Sequence, residues 1–266
     1  MLRDITLGQY YQTESVLHKL DPRVKITATL VYIVSLFVVD NFIGYAIAAA
    51  FLIMAVMLSN VPVKFIFKGM KAIFFLLLIT MTFNLLLTPG EPIVKFWILS
   101  ITKEGIKIAA MMGIRLVFLI TGSSIMTLTT TPNQLTDGLE KLMNPLKVFH
   151  VPVHEISMMM SIALRFIPIL MEETDKIMKA QMARGADFES GSVIQRAKSL
   201  IPLLVPLFIS AFRRASDLAM AMEARCYRGG EGRTKMKPLI YHRNDFIAYA
   251  IIVAYLIIMI VIGILF

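Results

Sequence analysis

The sequence predicts an all-α, polytopic membrane protein, with about five transmembrane helices and three cytoplasmic helices, two of them long and crossing. Three observations lead there. Of 266 residues, 57% are hydrophobic and only 17% charged, whereas a soluble globular chain carries about 45–50% apolar and about 25% charged residues. The apolar residues come in uncharged runs of membrane length. Between the fourth run and the last lies a charged segment, 131–245, that is helical in its periodicity and shows no strand alternation. A water-soluble enzyme and a disordered chain are thereby excluded. So is a disulfide scaffold, because Cys226 is the single cysteine and cannot form an internal bridge.

About 20 apolar residues cross a bilayer core, so the uncharged stretches locate the spans. Residues 41–63 give 23 uncharged positions, 72–90 give 19, 116–136 give 21, and 246–266 give 21. The fourth span can start earlier, near Ile106. Ile26–Val39 is only 14 long, but Lys25 can snorkel at its edge, and it reads as a first span paired with the second through Asp40-Asn41. The chain therefore divides into 1–130, 131–245 and 246–266.

Orientation follows from the distribution of bases. Arg3, Lys19, Arg23 and Lys25 precede the first span, and Lys64, Lys68 and Lys71 sit between the second and third. Residues 131–245 hold 16 of the 27 Lys and Arg against 12 acids. Five spans then place the N-terminus and 131–245 in the cytoplasm and the C-terminus outside. The net charge of +9 is accounted for by topology and lipid contact, and no nucleic-acid partner is expected. Met1–Leu20 has no apolar core, so no cleavable signal peptide is expected.

Within 131–245, Thr131-Pro132-Asn133-Gln134 reads as a helix start: Thr as N-cap, Pro at the first helical position, Gln three residues on to close a capping box. Pro152 opens a second helix that can run to Arg184, with Gly185 as its stop. Ser192 and Gln195 repeat the capping logic for a third, ending near Tyr227. The last two read as roughly 33 and 36 residues, about 50 Å each, with bends expected at Pro168, Pro202 and Pro206. They are taken to lie along or just beneath the membrane. Nineteen methionines, among them Met158-Met159-Met160, serve either as ordinary core filling or as an adaptable surface for several partners.

The ends of the two long helices resemble each other. One reads Ala180-Gln181-Met182-Ala183-Arg184-Gly185 and the other Ala221-Met222-Glu223-Ala224-Arg225-Cys226, with the arginines 41 residues apart. A cation at a helix C-terminus can simply complement the macrodipole. Two such ends on one face of a membrane protein suggest instead a pair of guanidinium forks offered to a partner's carboxylates or carbonyls.

With these residues in place, the chain resembles the transmembrane T component of energy-coupling factor transporters, which import vitamins and metal ions in prokaryotes. Ala183-Arg184-Gly185, followed by Ala186-Asp187-Phe188, matches the family's first Ala-Arg-Gly signature, and Glu223-Ala224-Arg225-Cys226-Tyr227-Arg228-Gly229-Gly230 looks like its second. Leu20-Asp21-Pro22-Arg23 belongs to the same resemblance, which covers essentially the whole chain. Cys226 departs from the glycine of the simplest form. The resemblance implies that segment 131–245 supplies coupling helices. Ala183, Arg184 and Gly185 would dock one ATP-binding cassette ATPase subunit, and Ala224, Arg225 and Cys226 a second. A separate, possibly exchangeable substrate-binding membrane subunit would be toppled to release its vitamin inside. ATP and Mg would sit on the ATPases; this chain would bind no cofactor, catalyse nothing, and reside in a prokaryotic cell membrane.

Two other classes compete. An intramembrane enzyme needs reactive groups at membrane depth, but only Arg115 lies well inside a span, and it can equally hold its helix in place. His150 and His154 are separated by Pro152 and make poor Zn ligands. No Lys follows a Gly, so a phosphate-binding G-x-x-x-x-G-K-[ST] loop is absent. The permease subunit of a conventional ATP-driven importer is the closer rival, but such subunits carry one short coupling helix rather than two long ones.

Overall fold

The computed structural model describes residues 10–96, 99–188, 192–230 and 236–265. The chain forms two compact units, one of Gly8–Leu142 with Leu239–Phe266, the other built on Met143–Pro238.

The first unit opens with a single-turn helix α1 (Val16–Lys19), then α2 (Pro22–Val38), α3 (Phe42–Ser59), α4 (Val63–Leu87), α5 (Lys103–Thr129) and α6 (Pro132–Met143), and closes with α10 (Arg243–Leu265). Side-chain caps start most of these helices. Asp21 accepts from the Arg23 amide with Pro22 in the first turn, Asn41 accepts from the Gly44 amide, and Thr102 from the Gly105 amide. Each satisfies a donor that a helix start leaves orphaned. At α6 the capping box forms as its sequence demands: the Thr131 amide donates to Gln134 Oε1 (3.1 Å) and the Gln134 amide to Thr131 Oγ1 (3.3 Å). Between α4 and α5 a small antiparallel hairpin, β1 (Pro92–Phe96) and β2 (Leu99–Thr102), adds strands that the sequence reading does not contain.

The core of this unit joins α2, α3, α5 and α10 through Leu36, Ala48, Ile125 and Met259. Phe51 stacks between Tyr32 and Tyr255 (centroids 5.9 and 4.4 Å apart), and the Tyr255 hydroxyl is 2.7 Å from Ser35 Oγ. Two polar knots pin the helix ends. Asp245, 1% exposed, accepts from the amides of Asp21 (2.8 Å) and His242 (2.7 Å). Arg23 pairs with Asp21, donates to the Leu239 carbonyl, and lies 3.7 Å over the Tyr241 ring. Leu20-Asp21-Pro22-Arg23 is thus the clasp that fastens the start of α2 to the start of α10. Arg115 ties α5 to the α2–α3 turn, donating to Tyr45 Oη (2.8 Å) and Asp40 Oδ1 (2.6 Å). Its role is structural.

Among the described residues, five helices are long and apolar enough to cross a membrane: α3, α5, α7, the stretch Ile194–Ala224, and α10. A sixth candidate is α4, bent by 62° between Lys71 and Ile73. This is not the same set as the five expected spans. At 17 residues, α2 is short, and it is instead the most enclosed of the apolar helices. The bend in α4 falls where its basic first part, with Lys64 and Lys71, meets the uncharged run. Helices α7 and α9 qualify by length, yet Glu172, Glu173, Asp175, Lys176 and Lys179 crowd the second half of one, and Arg213, Arg214 and Asp217 interrupt the other.

The second unit holds a 3-10 turn (Asn144–Phe149), α7 (Val153–Ala183), α8 (Val193–Ser199) and α9 (Ile201–Ala224). The expected single third helix is therefore two, separated at Leu200. Pro202 falls in the first turn of α9, where its missing N–H costs nothing, while Pro168 and Pro206 lie inside α7 and α9. Helix α6 packs with the first unit: a Cβ on Gly138 would meet Ile26 and Pro22. The break between units thus comes one helix after residue 131.

Candidate functional site

Helices α7 and α9 pack against each other and run antiparallel. Glu173 of α7 and Arg214 of α9 form an ion pair at 2.8 Å. Further along, Met158 and Ile162 line a cavity of about 410 Å³ together with Leu218, Met222 and Arg225. Beyond that, His154 lies against Gly230, where any Cβ would come within 2.4 Å of the imidazole. The contacts thus ascend α9 as they descend α7. His154 is committed to this packing.

The two arginine ends are built alike. Arg184 is the last residue of its helix with near-helical backbone; the Gly185 amide donates to the Met182 carbonyl (3.0 Å) and the Ala186 amide reaches back to Gln181 (3.0 Å). At the other end Arg225 takes the same place; the Cys226 amide donates to Glu223 (2.8 Å) and the Tyr227 amide to Met222 (3.0 Å). Both are complete Schellman closures, which need a left-handed residue immediately after the cap. Gly185 supplies it with φ +89° and Cys226 with φ +55°. The departure from glycine therefore leaves the backbone device intact.

The structure places Ala183, Arg184, Gly185, Ala224, Arg225 and Cys226 on the exposed surface. It does not bring the two triplets together. Glu173 and Arg214 are each 11 residues before an arginine end, about 16 Å of helix. Because the helices are antiparallel, the two guanidinium groups point away from this pair in opposite directions, up to about 33 Å apart. Among the described residues neither has a hydrogen-bond or ion-pair partner. An unpaired, exposed guanidinium on a rigid helix end is suited to bidentate recognition of a partner's carboxylate or carbonyls. Sequence reasoning missed the Glu173–Arg214 pair. Its signal was present: Glu172-Glu173 and Arg213-Arg214 carry opposite charges at the same 41-residue offset as the arginines.

Residues 13–236 match the family described as cobalt transport protein, CbiQ. A 250-residue stretch is 58% identical to the energy-coupling factor transporter transmembrane protein EcfT of Clostridium kluyveri, covering 93% of both chains. The chain belongs to this family. The protein of the same name from Ruminiclostridium cellulolyticum is 54% identical, over 96% of each chain. That of Bacillus subtilis is 47% identical, over 92% of this chain and 93% of its own. The chain is accordingly a multi-pass membrane subunit of an energy-coupling factor transporter. Its part is that of a transporter subunit rather than an enzyme.

Proposed function

We propose that this subunit is the coupling platform of an ATP-driven vitamin importer. Arg184, flanked by Ala183 and Gly185, docks one ATPase subunit; Arg225, flanked by Ala224 and Cys226, docks the other. ATP and Mg are handled by the ATPases. Their closure moves α7 and α9, which act on a separate substrate-binding membrane subunit carrying the vitamin. The observation that carries this reading is the pair of matched, exposed arginine caps at opposite ends of one antiparallel helix pair. Helix-end electrostatics alone would explain one cation near a C-terminus, but not two identical closures presenting unpaired guanidinium groups some 33 Å apart by helix length. We place α2, α3, the apolar part of α4, α5 and α10 across the membrane, with residues 131–245 and the N-terminus in the cytoplasm and the C-terminus outside.

The deciding experiment is truncation of both caps. If each arginine anchors a groove contact, Arg184→Ala or Arg225→Ala alone removes about 2 kcal/mol or more of interface energy, roughly 30-fold in ATPase affinity, and assembly survives through the other anchor. Arg184→Ala with Arg225→Ala together releases the ATPases and abolishes uptake, while the chain still inserts and retains the substrate-binding subunit. Lysine at either position rescues poorly, because an ammonium lacks the planar fork. Normal uptake by the double variant at normal expression would show that both arginines are ordinary helix caps.

A further inference from the structure

A second site lies in the membrane-spanning unit. A cavity of about 430 Å³ runs between α1, α2, α3, α5 and α10. That is the volume of a small-molecule pocket. Its interior is shaped by small and apolar side chains, among them Ala28, Phe51, Ala55, Ile125 and Ala248. Its side wall is formed by Met54 and Leu58 of α3 and Ile247 and Ile251 of α10, all of them exposed. The cavity therefore opens sideways, through faces of two helices that are uniformly apolar and long enough to cross a bilayer.

Polar groups are confined to a few points. Lys25 and Asn244 lie at the end of the cavity where α2 and α10 begin. The Lys25 ammonium donates to the carbonyls of His18 (3.1 Å) and Thr129 (2.9 Å), which uses two of its three hydrogens. Tyr32, seven residues further along α2 and so about 10 Å deeper, lines the same space, and its buried hydroxyl has no partner. The hydroxyls of Thr29 and Thr129 are occupied by the carbonyls of Lys25 and Ile125.

An apolar cavity of this size is not left empty, because the packing energy forfeited grows with its volume. Water is a poor occupant, since it needs two to four polar partners and the walls supply almost none. We propose that the cavity holds one acyl chain of a membrane phospholipid, entering between α3 and α10, with its phosphate and ester oxygens at the Lys25–Asn244 end. Basic pockets between membrane helices take anionic headgroups in this way. The chain would brace the helices that carry the Asp21–Asp245 clasp. This inference rests on the membrane assignment alone and stands or falls independently of the arginine caps.

Native mass spectrometry of the full chain in mild detergent, supplemented with phosphatidylglycerol, tests it. One phospholipid per chain should survive delipidating washes. Ala28→Leu with Ala55→Leu fills the cavity and should lower that occupancy at least tenfold with helix content unchanged. If the filled variant does not fold, wild-type chain in vesicles containing a phospholipid with a photoactivatable acyl chain decides the matter. Adducts on Phe51 and Ile125 support the site; adducts confined to outward residues such as Phe37 and Phe75 overturn it. Equal lipid retention by wild type and a folded filled variant also overturns it. So does loss of the lipid when the substrate-binding subunit is co-purified, which would make a partner helix the true occupant.

Discussion

Cys226 occupies a conformation that costs a side-chain-bearing residue roughly 1–2 kcal/mol relative to glycine, and its φ is +55°. Cys226→Gly should therefore raise stability by about 1 kcal/mol in chemical or thermal melts, with ATPase docking unchanged. The converse, Gly185→Ala at φ +89°, should destabilise by a similar amount, although open space surrounds it. If Cys226→Gly instead weakens docking without loss of stability, the thiol itself contacts the partner. At the other end of the chain, His18 bridges the Ser15 hydroxyl (2.7 Å) and the Tyr11 carbonyl (3.0 Å), contacts that suit a neutral imidazole with the proton on Nε2. Burial lowers its pKa below the usual 6.5. The unfolded chain then binds the proton more readily than the folded one, so stability rises with pH across this window. Melting temperature should fall as pH drops below about 6.5, and His18→Gln should flatten that dependence.

The α7–α9 pair is held in register by Glu173 and Arg214, whose side chains remain 29% and 39% exposed. A pair so placed contributes about 0.5–1 kcal/mol; its value lies in fixing the height at which the helices meet, and hence the spacing of the caps. Glu173→Arg should loosen the pair and reduce uptake, and the exchange Glu173→Arg with Arg214→Glu should restore both. A double-mutant cycle in melting and transport with no coupling would count against this pinning role. Helix ends were legible in sequence at Thr131, Pro152 and Gly185, because caps and stops are chemistry local to a few residues. The break at Leu200 and the hairpin after α4 were not. Neither has a strong local signal, and Pro202 was compatible with either a bend or a helix start.

For the molecule as a whole, the topology proposal predicts sidedness. In a Cys226→Gly background, a cysteine added after Phe266 should react with an impermeant reagent from outside, while one at Ser190 should be protected. Labelling of both, or of neither, would contradict five spans. Composition and uncharged runs were sufficient to establish a multi-pass helical membrane protein, since the bilayer imposes length and apolarity on every crossing segment whatever its neighbours do. The arginine caps were equally legible, because a Schellman closure is written in consecutive residues. Which apolar helices are enclosed was not readable in this way. Hydropathy ranks α7 and α10 alike as candidates and passes over the 17-residue α2, yet α2 carries Val24, Tyr32 and Leu36 into the core. Only tertiary structure decided that, along with the clasp between Asp21 and Asp245, 224 residues apart, and the antiparallel pairing that sends the two arginines in opposite directions. Each depends on contacts between residues far apart in the chain, and local periodicity holds no record of which distant partner a helix face will meet.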